Sequence, residues 1–62
     1  MHHIRRMEEY WHHRLRDSLL AQATLCEHIA VQATHESTAA RFRAMAQECR
    51  AAAIEADKAK ET

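Results

Sequence analysis

Ala33-Thr34-His35-Glu36-Ser37-Thr38 is the stretch that decides the fold. On either side of it apolar residues recur at steps of three and four, the signature of an amphipathic helix. Before it the stripe runs Ile4, Met7, Trp11, Leu15, Leu19, Cys26, Ile29 and Ala33, with Gln22 filling the gap between Leu19 and Cys26. After it a second stripe runs Thr38, Phe42, Met45, Cys49, Ala52, Ala56 and Ala59. Carried as one ideal helix, the second stripe would sit about 150° away from the first. A straight rod would therefore present its two apolar stripes on nearly opposite sides, whereas a reversal at the corner lets them meet. The expected architecture is an antiparallel helical hairpin in a single domain, with a helix over about 3–33, a corner over about 34–37 and a helix over about 37–60.

Composition points the same way. The 62 residues contain no Gly and no Pro, and thirteen of them are Ala. Ala is the strongest helix former, and Leu, Gln, Glu, Arg and Lys follow closely. Tight hairpin turns between strands favour Gly or Asn, and this chain has neither. An all-α fold follows. With no Gly to close the first helix, Thr34, Ser37 and Thr38 are the hydroxyls available for a cap. Glu36 falls where a carboxylate suits the positive end of a helix.

A chain of this length is marginal alone, since domains near 60 residues bury only about 60% of their unfolded surface. Small proteins make up the shortfall with disulfides, a metal or another chain. Two cysteines are too few for a disulfide scaffold, so a second copy is the expected supplement. If residues facing one another across the hairpin have numbers summing to about 71, Gln22 lies opposite Cys49 and Cys26 opposite Met45, with the cysteines offset by about 6 Å along the axis. Ile4 and Met7 overhang the second helix, and two helices leave part of each stripe uncovered. A homodimeric four-helix bundle is the expectation, with Ile4, Met7, Trp11, Leu15, Leu19, Cys26, Ile29, Phe42, Met45 and Cys49 as core and interface.

The segment Ala30 to Arg50, which contains Ala39-Ala40-Arg41-Phe42-Arg43-Ala44-Met45-Ala46, resembles small uncharacterised bacterial proteins of a two-helix type. Those have a Tyr-rich first helix, matched here by Glu9-Tyr10-Trp11, and a second helix of the pattern A-x-x-F/Y-x-x-M/L-A. Their turn is often Asp-Pro-Glu, where this chain has Thr34-His35-Glu36. The resemblance implies a helical hairpin and supplies no activity.

Residues that could carry chemistry are sparse. The six histidines are His2, His3, His12, His13, His28 and His35. Glu9-Tyr10-Trp11-His12 spells the Glu-x-x-His pair of di-metal bundles, so Glu9, His12 and His13 are the candidate ligands. Glu9 lies off the packing stripe, and His12 and His13 point about 100° apart on a helix, so the expectation is solvated side chains and no bound cofactor. Cys26 and His28 are two apart and cannot face each other, and no motif supplies a nucleophile with its base. The chain is expected not to be an enzyme.

Nine basic residues balance nine acidic ones, which disfavours a dedicated nucleic-acid module. Arg5, Arg6, Arg14 and Arg16, interleaved with histidines and with Tyr10 and Trp11, make the first third locally basic. A metal- or nucleic-acid-binding module built on that third is the alternative. No apolar run reaches the roughly 20 residues that span a bilayer, and Met1 to Tyr10 lacks the apolar centre of a signal peptide. A small cytoplasmic interaction protein that pairs with itself and docks a larger partner is the reading the sequence favours.

Overall fold

The computed structural model describes the backbone of residues 2–61 and the side chains of residues 11–58. Two helices account for nearly all of it: α1, His2–Gln32, and α2, Glu36–Glu61. They pack against each other along their length as an antiparallel hairpin. The long dimension is 52 Å against 16 and 9 Å for the other two, so the molecule is one pair of helices thick and has no third layer.

The corner is Ala33, Thr34 and His35. Ala33 N–H donates to Ala30 O at 3.3 Å, tightening the last turn of α1. Ala39 N–H donates to His35 O at 3.0 Å, which makes His35 the backbone cap of α2. Glu36 then stands in the first turn of α2, where its charge opposes the helix dipole, and its carboxylate also pairs with Arg43 two turns on. None of the described residues has positive φ. The reversal is therefore made without the left-handed conformation that usually calls for Gly.

The seam between the helices is built from small residues. Ala23, Ala30, Ala39, Ala46, Ala53 and Ala56 are buried together with Cys26. Ala23 and Ala46 are the most completely covered, at 0% and 1% exposure, and with Cys26 they form the centre against which Phe42 and Cys49 pack. Along each helix the covered positions follow a heptad. On α1, Arg16, Ala23 and Ala30 take position a, and Leu19 and Cys26 take d; on α2, Ala39, Ala46 and Ala53 take a, and Phe42, Cys49 and Ala56 take d. Alanine at nearly every a position lets two backbones approach closely, and the larger d side chains fill the spaces between.

This seam is not the stripe of large residues. Trp11, Leu15 and Met45 lie outside it, at 61%, 51% and 45% exposure, and Thr38 and Ala52 are likewise exposed. Leu19, Phe42 and Cys49 are half-buried within it at d positions, and Ile29 is half-buried at its edge. The difference has a simple cause. A two-helix molecule can cover one strip per helix, and the alanine strip allows the closer approach. The side chains of Ile4 and Met7 lie outside the described residues.

Candidate functional site

In so thin a molecule the surfaces to consider are the two long flanks of the seam. In an antiparallel pair, the e positions of one helix lie beside those of the other, and the g positions do the same on the opposite side.

The e flank is ionic. Position e holds His13, Leu20 and Glu27 on α1, and Arg43, Arg50 and Asp57 on α2. Arg16 leaves the seam at this edge: its stem covers the end of the apolar strip while its guanidinium reaches Asp57 Oδ1 at 3.4 Å and Asp17 Oδ1 at 3.2 Å. Glu27 pairs with Arg50 across the helices. These bonds tie α1 to α2 at two levels. Leu20, Val31 and Ile54 stand exposed on this side as separate apolar spots, and an open dent of about 310 Å³ lies between Glu27, Ala30, Val31 and Arg43.

The g flank is uncharged. Position g holds Leu15, Gln22 and Ile29 on α1, and Thr38, Met45 and Ala52 on α2. A polar contact crosses it: Cys49 Sγ donates to Gln22 Oε1 at 3.9 Å. That contact places Gln22 opposite Cys49, as the facing-residue register requires. On α1 the uncharged strip widens further, because the neighbouring c positions are Trp11, Ser18 and Leu25. On α2 it narrows, because the c positions are Arg41, Glu48 and Glu55. At the tip the flank ends in an open dent of about 340 Å³ lined by Ile29, Gln32, Ala33, Thr34, His35 and Thr38.

The candidate metal ligands do not come together. His12 and His13 are half-buried on different sides of α1, the side chain of Glu9 lies outside the described residues, and no three His, Cys, Asp or Glu side chains converge on a common point among the described residues. Cys26 and Cys49 are both free thiols beside the alanine centre. No helix is long and apolar enough to cross a membrane among the described residues.

Sequence reasoning that follows large apolar residues misses two things. One is the alanine heptad at 23, 30 and again at 39, 46, 53, visible as a strict spacing of seven once small residues are counted as core. The other is Leu25, 58% exposed, which belongs with Trp11 and Leu15 on the uncharged strip. Compared with known proteins, the chain matches no protein-family model, no curated protein and no solved structure.

Proposed function

We propose that this chain is a non-enzymatic interaction protein that works as a homodimer of hairpins, a four-helix bundle whose outer faces dock a larger partner. The observation that carries the reading is the uncharged g flank, where Leu15, Gln22, Ile29, Thr38, Met45 and Ala52 follow one another without a charge among the described side chains. Apolar side chains scattered singly over a surface are ordinary, whereas a continuous uncharged strip marks an interface.

The accessible surface supports it. The chain exposes 5250 Å², against about 4,100 Å² for a compact monomer of the same mass. The excess of roughly 1,100 Å² exceeds the ~800 Å² that each partner buries in a standard interface. Among the described residues the buried core is also small, six alanines and a cysteine, which gives a single hairpin little of the hydrophobic stabilisation that a domain needs.

The metal- or nucleic-acid-binding alternative rests on the basic first third. There Arg16 is committed to Asp17 and Asp57, and no described feature favours that reading over the first. Light scattering at micromolar concentration tests the homodimer. A mass near twice 7.2 kDa is expected, and a helical monomer at that concentration would overturn the reading.

A further inference from the structure

The uncharged flank is not shared equally by the two helices, and its pattern on α1 specifies how a second copy sits. Trp11, Leu15, Ser18, Gln22, Leu25 and Ile29 follow one another at alternating steps of four and three. This is a second heptad seam, displaced by one residue from the seam that holds α2, and it extends about 27 Å along the helix at 1.5 Å per residue. All six side chains are uncharged, and Trp11, Leu15 and Leu25 are each more than half exposed. The corresponding strip of α2 contains Arg41, Glu48 and Glu55, so it offers no equivalent.

We infer that a second copy of this chain docks through α1 against α1 in antiparallel orientation, with the twofold axis between Ser18 and Gln22; this rests on the homodimer proposed above. Three observations support the orientation. First, the polarity of the strip reads the same from either end: two apolar residues, two polar, two apolar. Antiparallel pairing requires such an order, because a twofold axis across the helix sets each position against one equally far from the other end. Trp11 then meets the partner's Ile29, Leu15 meets the partner's Leu25, and Ser18 meets the partner's Gln22. The hydroxyl and the amide pair with each other at the centre, as a polar layer fixes register in other coiled coils. Parallel pairing needs no such symmetry in the sequence.

Second, parallel pairing would bring the two basic ends together, with His12, His13, Arg14 and Arg16 of one copy beside the same residues of the other. Antiparallel pairing sets that end beside the partner's residues 24–28 instead, away from its own basic copy, and it opposes the helix dipoles. Third, the same axis brings Glu48 near the partner's Glu55 along α2. Like charges there keep the second helices from approaching as closely, so the contact centres on α1.

Two sets of variants test this. Leu15→Glu with Leu25→Glu changes exposed side chains and is expected to halve the mass while helix content stays constant; Leu20→Glu with Val31→Glu, on the ionic flank, is expected to leave the mass doubled. Orientation is read by oxidative cross-linking in a Cys26→Ala, Cys49→Ala background that circular dichroism shows to be helical. Leu15→Cys alone and Leu25→Cys alone should give no cross-linked dimer, since in the antiparallel pair each of these residues lies about 15 Å along the axis from its own copy in the partner, and the mixture of the two variants should cross-link. Cross-linking of each variant alone would overturn the antiparallel arrangement. A doubled mass with no cross-link in any sample, or with dimer surviving both glutamates, would overturn the α1 contact while leaving the homodimer standing. A single mass throughout would remove the homodimer itself.

Discussion

The two flanks of the hairpin seam border the same alanines and do opposite things with their edges. On the ionic flank Arg16 reaches Asp57 and Glu27 reaches Arg50, each from one helix to the other. On the uncharged flank a weak polar contact runs from Cys49 to Gln22. Charges at a seam edge are satisfied by partners within the chain and by water, so the ionic flank is complete as it stands. Leu15, Ile29 and Met45 gain nothing comparable from water. Apolar residues are present on both sides, Leu20, Val31 and Ile54 on one and Trp11, Leu15, Leu25 and Met45 on the other. What separates the flanks is whether charges interrupt them.

That contrast can be broken most completely at the corner. The heptad of α1 reaches α2 two residues out of step: continued from Ala23 and Ala30 it would fall on residues 37 and 44, while the observed seam falls on Ala39 and Ala46. Deleting Thr34 and His35 puts the two seams in phase. The expected result is one continuous helix in an antiparallel dimer, seen in small-angle scattering as a rod much longer than the 52 Å of the hairpin. A deletion variant that keeps the hairpin's dimensions would show that the phase break does not set the fold.

Ala46→Leu attacks the seam that both flanks border. Ala46 is 1% exposed, and forcing methylenes into a close-packed site costs about 1–3 kcal/mol. In urea the midpoint should fall accordingly, and an unchanged midpoint would mean that the alanines do not set the helix spacing. Gln22→Leu sharpens the contrast by making the uncharged flank wholly apolar at its centre. Self-association should tighten by about 1 kcal/mol per chain, while the loss of the polar layer should loosen orientation, so that Leu15→Cys now cross-links to itself. Weaker association would place Gln22 outside the contact.

The smallest effect belongs to the ionic flank. Glu27→Gln removes a half-exposed ion pair with Arg50, and such pairs contribute about 0.2–1 kcal/mol. The loss should shrink as salt is raised towards 1 M, where the screening length is about 3 Å. A salt-independent loss would mean that Glu27 acts through packing.

How much of this could be read in advance depends on side-chain size. Trp11, Leu15 and Met45 stand out in the sequence and follow helical steps, and these steps reveal the helices. The same residues mislead about the seam, because an apolar pattern shows which face wants cover and not what covers it. Ala23, Ala30, Ala39, Ala46 and Ala53 are apolar enough to be buried and common enough to be overlooked in a chain rich in alanine. The charged partners were only half legible: Arg16 engages its neighbour Asp17 and also crosses to Asp57 far along the chain.

The sequence alone made the chain helical, since nothing in it favours strands or left-handed turns, and it made the chain reverse, since two apolar patterns out of phase cannot share one straight face. Tertiary packing decided which strips meet inside the hairpin. Two helices can close on only one strip each, and alanine allows the nearest approach of their backbones. That choice leaves the larger side chains of α1 on the outside.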